Sequence, residues 1–491
     1  MSTSGDNPTE SSVAPVPPRY RWLKRFLKFG GLLLVGLLLL RWWWGWEAHR
    51  RLQAEIDRIV ARGEPIFPED FDPPEEISDD QNAAMAFIKA AEALTVTTEQ
   101  DDLIENADSL EELTPQKWQL IAELEAKNAE TLRLVRQIRN MSDADWGVRF
   151  RYLAIDVNLM MPSLSLQRQL SRVLCAVAIY QHHIGNDEQA IETLRDVFHQ
   201  AEMVDQRPTL ISHLVALAID AFGVSRVERV SHDLAIGDSP AAARDAVESL
   251  IAELLDERPL SEGLRTAMQV ERMCQLDVVL GIVNKKFGLI SSLSLGATGQ
   301  PSLTDRVFSY PIKPLFEMDG IVMIRHMNQI LQVCEQPSWP AADRIIKPLE
   351  QEWESSSNGL GIIKRPLSNW MLPSLERTVL FHHICLAQRR MAAIALAIRL
   401  YELDHGRRPT ELAKLVPDYL DEVPRDPMSP DGATFHYLPE AEVPVLYSVG
   451  ENGVDDGGEV WDEKRGKYVR HKRPDLVFLL DGVMPGAREG D

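Results

Sequence analysis

The chain has 491 residues and carries 74 acidic against 52 basic side chains, a net charge of −22. An acidic body of this kind should not seek nucleic-acid phosphates. Four cysteines, Cys175, Cys274, Cys334 and Cys385, lie far apart without a CxxC pair, which argues against a disulfide scaffold or a structural zinc site.

Residues 1–18 are rich in Ser, Thr and Pro, as in SSVAPVPP, and have too little apolar area to order themselves, so they read as a cytoplasmic tail. Residues 19–46 then read as a membrane anchor. From Phe29 to Leu40 twelve consecutive residues carry no charge, and bridging Arg41 to Trp46 makes eighteen. At about 1.5 Å per residue that is roughly 27 Å, enough for a hydrocarbon core of about 30 Å if the ends snorkel. The side chains expected in the bilayer are Phe29, Leu32, Leu33, Leu34, Val35, Leu37, Leu38, Leu39 and Leu40, with Trp42, Trp43, Trp44 and Trp46 as one interfacial belt and Trp22 as the other. Bulky RWWWGWEAHRR follows where a cleaved signal needs small residues, so the anchor is expected to remain. Arg19, Arg21, Lys24, Arg25 and Lys28 precede the span, whereas Arg41, Arg50 and Arg51 follow it among Glu47 and Glu55. This bias predicts a single pass with the N-terminus in the cytoplasm and the bulk outside a bacterial inner membrane. The first 46 residues are net +4, which leaves −26 on that bulk.

Residues 47–80 predict a stalk helix ending near Gly63 and Pro65, then the acidic linker FPEDFDPPEEISDD. Over 81–373 the hydrophobic period is helical. Leu170, Val173, Leu174, Val177 and Ile184 recur at three and four up to Gly185; Ile191, Leu194, Phe198 and Ala201 continue; Pro208 and Thr209 introduce a third helix with Leu210, Leu214 and Leu217. GNDEQAIETLRDVFHQA resembles the middle of one tetratricopeptide repeat, with Gly185 in the turn and Ala190 at a small packing position, but has no second copy at the 34-residue period. The expectation is an irregular antiparallel helical array. Ser291–Asp305 reads as a loop without the spacing that cradles a nucleotide phosphate.

Residues 374–482 form the most specific passage. Leu380, Ile384, Ala387, Met391, Ile394, Ile398 and Tyr401 make one apolar seam on a long helix that starts at Ser374 and stops at Gly406 and Pro409. A short helix over 410–416 follows, then the turn PRDPMSPDG and three short strands in ATFHYL, VPVLYSVG and DLVFLL; 483–491 is a tail. The run ALAIRLYELDHGRRPTELAKLVPDYL, with VPRDPMSPDG and VLYSVGENGVDDGG, resembles the globular domain of the major pseudopilin of bacterial type II secretion systems. It is also similar to membrane-anchored bacterial proteins of unknown function that join a helical body to such a tail. The resemblance implies a mainly α chain ending in a small α+β domain, a long spine helix on an antiparallel sheet. It also implies calcium in the acidic loop, with Asp455 and Asp456 as first ligands and the Ser448 carbonyl and Asp475 as further ones. Unlike a pseudopilin, the chain has its span more than 320 residues before the spine helix, and no acid lies between Arg25 and Trp46. Processing by a prepilin peptidase is therefore not expected. The acids Glu451, Asp455, Asp456, Glu459, Asp462 and Glu463 suit a hard cation, while the bases that follow suit a solvated hairpin.

No catalytic signature is present: no H-E-x-x-H, G-x-S-x-G or S-x-x-K. The pairs His182-His183 and His382-His383 point about 100° apart on a helix and are expected to pack, with no second histidine facing His382. The leading expectation is a non-enzymatic, membrane-anchored scaffold that binds other envelope proteins, associated with a secretion or pilus-like machine. A membrane-tethered hydrolase acting on envelope polymers or peptides is the alternative. A filament subunit is a third, and requires the Leu380–Tyr401 seam to be exposed.

Overall fold

The computed structural model describes residues 20–72, 77–105, 113–150, 157–235, 240–283, 303–356, 365–371, 375–458, 461–462, 467–468 and 475–482. Its first helix, α1 (Arg21–Ala61), is unbroken over 41 residues, about 62 Å at 1.5 Å per residue. Its character changes half-way. The nine large apolar side chains from Phe29 to Leu40 are 54–72% exposed, whereas Ala48, Leu52, Ile56 and Ile59 are buried. The stalk expected over 47–80 is therefore not free-standing, because its helical part carries an apolar stripe that the body covers.

The covering helix is α11 (Leu303–Cys334). His49 Nδ1 lies 3.2 Å from Glu317 Oε1 and Arg325 Nη2 2.6 Å from Glu55 Oε1, so α1 and α11 run parallel. On its other side α11 lies antiparallel to α10 (Arg258–Val283), and the fully buried Arg272 ties the group together. Its guanidinium donates to Glu64 and Asn328, both at 2.7 Å, and to the Pro65 carbonyl at 3.0 Å.

The outer layer is α2 (Ala83–Glu92), α3 (Thr98–Glu105), α4 (Pro115–Lys127) and α5 (Ala129–Ile138). Of these, α2, α3 and α4 pack on α6 (Val157–His183), which continues into α7 (Asp187–Asp205) and α8 (Leu210–Ser231) as an array of neighbours, while α5 packs on α2 and α7. The array follows the periodicity closely. Gly185 turns the chain at φ +78°, a conformation glycine tolerates, and Ala190 is buried. Thr209 caps α8 by accepting from Ser212 N at 3.2 Å. Two residues of the expected apolar faces, Ile184 and Leu214, are instead exposed. By length and mean hydropathy (1.6), the one described helix apolar enough to cross a membrane is α8, not α1, and 56% of its window is buried in the body. The loop expected from Ser291 lies, up to residue 302, outside the described residues.

After α9 (Pro240–Leu255) and α12 (Trp339–Ser356), a single turn at Ser368–Met371 leads to α13 (Leu375–His405). Gly406, at φ +71°, stops it as expected. The sheet is antiparallel in the order β1 (His436–Leu438), β2 (Val445–Ser448), β5 (Leu476–Leu479). Its register sets His436 opposite Tyr447 and Val445 opposite Leu479. A two-residue hairpin, β3 (Trp461–Asp462) with β4 (Lys467–Tyr468), stands apart. The short helix expected over 410–416 is a 3-10 turn, Leu412–Leu415.

The boundary expected at 373/374 does not separate two cores. One cluster joins Leu52 of α1, Met268 of α10, Ile394 of α13, Leu446 of β2 and Phe478 of β5. Polar contacts lock the sheet to the body: Leu479 N donates to Glu228 Oε1 at 2.6 Å, and Trp339 donates from N to the Pro427 carbonyl at 2.8 Å and from Nε1 to the Glu451 carbonyl at 3.1 Å. Leu380, Ala387, Met391, Ile394, Ile398 and Tyr401 are buried, so the exposed seam that a filament subunit needs is absent.

Candidate functional site

Three places carry the chemistry. In the first, Trp22, Trp42, Trp43, Trp44 and Trp46 all expose their rings at the two ends of the bare apolar run of α1. Just beyond it Glu47 accepts from Arg50 Nε at 2.9 Å and Arg51 Nε at 2.6 Å. Those two guanidinium groups hold its carboxyl down to about 2. Arg50 and Arg51 thus share one carboxylate.

The second place is the acidic loop. Asp455 Oδ1 accepts from Tyr447 Oη at 3.0 Å and from Gly457 N at 2.9 Å. Asp475 Oδ2 accepts from Asp456 N at 3.2 Å and Gly458 N at 2.9 Å, while Asp456 Oδ2 accepts from Asn452 at 3.0 Å. Ser448, whose carbonyl is the expected ligand, donates its Oγ to Asp426 Oδ1 at 2.8 Å. These carboxylates bind the loop's own donors, and among the described residues no three His, Cys, Asp or Glu side chains gather to hold a metal ion. Glu459 and Glu463 lie outside the described residues. Asp426, which the sequence reading did not single out, is the centre of this corner. Nearly inaccessible, it also accepts from Met428 N at 2.9 Å and Val449 N at 3.1 Å, so it fastens the PRDPMSPDG turn to the end of β2.

The third place lies where α7, α8, α9, α10 and α13 meet. Arg389 of α13 is buried and bonds both oxygens of Asp220 in α8 at 2.9 Å. It also donates to the Leu254 carbonyl at 3.1 Å and to the Glu253 carbonyl, capping the C-terminal end of α9. Cys385 donates to Asp220 Oδ2 at 3.3 Å, and burial holds its thiol well above the usual range, so it is inert. Nearby, Asp205 at the end of α7 bonds His213 Nδ1 through Oδ1 at 2.7 Å. Its Oδ2 has no hydrogen-bond partner, nor do His213 Nε2 and His382 Nδ1. The His213 and His382 rings are 5.9 Å apart. This corrects the expectation that His382 meets no second histidine: α8 lies beside α13 and brings one across. Burial, followed by His213 and His383, holds His382 well below the usual range, so it packs as the neutral ring.

Two cavities open around this cluster, of about 360 Å³ and 540 Å³, sharing Glu202, Asp256 and Pro259 as a common wall. Burial raises the proton affinity of Glu202 against the pull of Arg389, and Asp256, Glu253 and Asp205 add to the rise. The other paired histidines are structural. His182 bridges Asp187 at 2.6 Å and Asp233 at 3.0 Å, His183 stacks on Trp118 at 3.8 Å, and His383 bonds the Val379 carbonyl at 2.9 Å. No family model, no curated protein and no solved structure matches this chain.

Proposed function

We propose that the protein is a single-pass membrane-anchored scaffold whose helical body binds other proteins of the envelope. The observation that carries this reading is the single helix α1, apolar and uncovered over Phe29–Leu40 and packed into the core from Ala48 onward. The other strongly apolar helix, α8, spends its apolar surface on the body, whereas the run Phe29–Leu40 meets no protein neighbour. Uncovered apolar area of this extent in water favours burial elsewhere, and the bilayer matches its length. The pairing of Arg50 and Arg51 with Glu47 leaves the excess of basic charge on the N-terminal side, which supports a cytoplasmic N-terminus and an extracytoplasmic body.

The likeness of 389–480 to a pseudopilin tail belongs to the same reading and is supported by the long α13 lying on a small antiparallel sheet. It points to secretion or pilus-like machinery as the source of partners. Flotation of the full chain with and without detergent tests the anchor, and protease protection in oriented vesicles tests its sidedness. Capture from solubilised membranes with and without a chelator tests the partners and the loop's calcium together; no reproducible partner overturns the scaffold. One observation favours the hydrolase alternative, the gathering of Glu202, Glu253 and Asp256 around a cavity. Turnover of an envelope peptide or polymer that is abolished in Glu202→Gln would replace the scaffold reading.

A further inference from the structure

The paired cavities are a trough whose residues imply a ligand of one charge. Asp143, Glu202, Asp205, Asp256 and Glu262 line the larger cavity, against one base, Arg258. That base is committed to Asp256, at 2.7 Å and 2.8 Å. In the smaller cavity Arg139 is paired with Glu192, and Arg389 is saturated by Asp220 and the end of α9.

An acidic lining alone would show only a solvated surface. The independent observation is Asp205, which is 5% exposed, lines the larger cavity and keeps Oδ2 without a hydrogen-bond partner. Opposite it is Gly263, where an added Cβ would fall on the carboxylate, so the α10 backbone meets this acid with no side chain between them. A buried carboxylate oxygen left without a donor is costly, which makes the site one that a donor-bearing cation would complete.

A compact metal ion is a poor fit, because among the described residues no three such ligands converge on a point. Carboxylates spread along a trough suit a cation whose donors are themselves spread out. Pro259 on the shared wall, with Phe198 and Leu260 in the smaller cavity, offers apolar surface for a methylene chain between charged ends.

We propose that this trough binds an alkylammonium or guanidinium ligand, with Asp205 at its floor and Glu202 and Glu262 at its mouth. The free form is a polyamine and the tethered form a basic side chain of a partner protein; both present the same chemistry. The inference does not depend on membrane anchoring.

The test is calorimetric titration of the detergent-solubilised full chain with spermidine and, separately, with tri-arginine, at about 150 mM salt to screen general attraction. Saturable binding of either is expected, weakened about tenfold or more in the double variant Glu202→Gln/Glu262→Gln, which removes charge-assisted bonds without touching the core. Tighter spermidine binding assigns the free polyamine, and tighter tri-arginine binding the basic segment. Asp205→Asn probes the floor, and the double variant keeps the test decisive if that protein does not fold. Absence of saturable binding by both probes, binding unchanged in the double variant, or an equal response to magnesium chloride at the same ionic strength overturns the proposal.

Discussion

Helix α8 and the run Phe29–Leu40 of α1 are both strongly apolar, but only α8 is covered by the rest of the protein. α8 is threaded with charge. Asp220, Arg226 and Glu228 are all buried on it, and Asp220 and Glu228 find partners on α13 and β5. The run Phe29–Leu40 of α1 has no charge, and around Gly36 nothing lies within 4 Å. Mean hydropathy averages over these differences. What separates a core helix from an anchor is whether its apolar face has a protein neighbour and its polar groups have protein partners.

The largest effect that can break this comparison is on α1. Leu34→Lys with Leu38→Lys puts two ammonium groups into the run, at about 6 kcal/mol against insertion on the biological scale. The expected outcome is loss of membrane flotation with an unchanged denaturation midpoint for the body, since neither side chain touches it. Retention in the membrane would show that this run is not what holds the protein there.

The next effect is on α8. Arg389→Ala strands the buried Asp220 and uncaps α9, and should destabilise the fold by about 3–5 kcal/mol. Urea denaturation reads it, and Arg389→Lys should recover only part because one ammonium cannot serve both the carboxylate and the carbonyls. A midpoint within error of wild type would mean that the pair is not what holds α8 in the body.

A smaller effect concerns the end of α6, where His182 reaches Asp233 just past α8. His182, whose burial alone would lower it, is raised to about 9 by Asp187 and Asp233. A histidine raised on folding contributes stability that is complete below its free value near 6.5 and is lost as pH rises through about 9. Roughly 2–3 kcal/mol should disappear between those limits in wild type and not in His182→Gln. Parallel pH profiles in the two proteins would refute the linkage.

The smallest effect sharpens the contrast with one methyl group. A Cβ at Gly223 of α8 would lie 2.8 Å from Cζ of Phe198, and Gly223→Ala should cost about 1–3 kcal/mol by overpacking. Gly36→Ala in α1 meets nothing and should leave both stability and membrane retention intact. A loss of stability at Gly36 would reveal a neighbour for this apolar run.

The site residues were unequally legible. Asp220 within LVALAIDAFGV and Arg389 within LAQRRMAAIALAI interrupt apolar helical stretches, a sign that each needs a buried partner, although not which one. Asp205 carries no such sign, being followed by the turn residues QRPT, and its significance arises only from His213 on one side and Gly263 on the other. The acidic loop shows the reverse. Its density of carboxylates is plain in the sequence, yet Asp455 and Asp475 bond backbone and tyrosine donors within their own module.

From the sequence alone came the mainly helical character, the limits of α13, the three strands, the turn at Gly185 and the long uncharged run before Trp42. All of these depend on periodicity, capping and turn residues that act over a few neighbours. The tertiary structure decided that the second half of α1 belongs to the core, that the seam of α13 is covered, that His382 meets His213, and that the terminal sheet shares one interior with the helices. These are contacts between residues hundreds of positions apart, where apolar area and unpaired polar groups can be satisfied in many ways and only packing selects one.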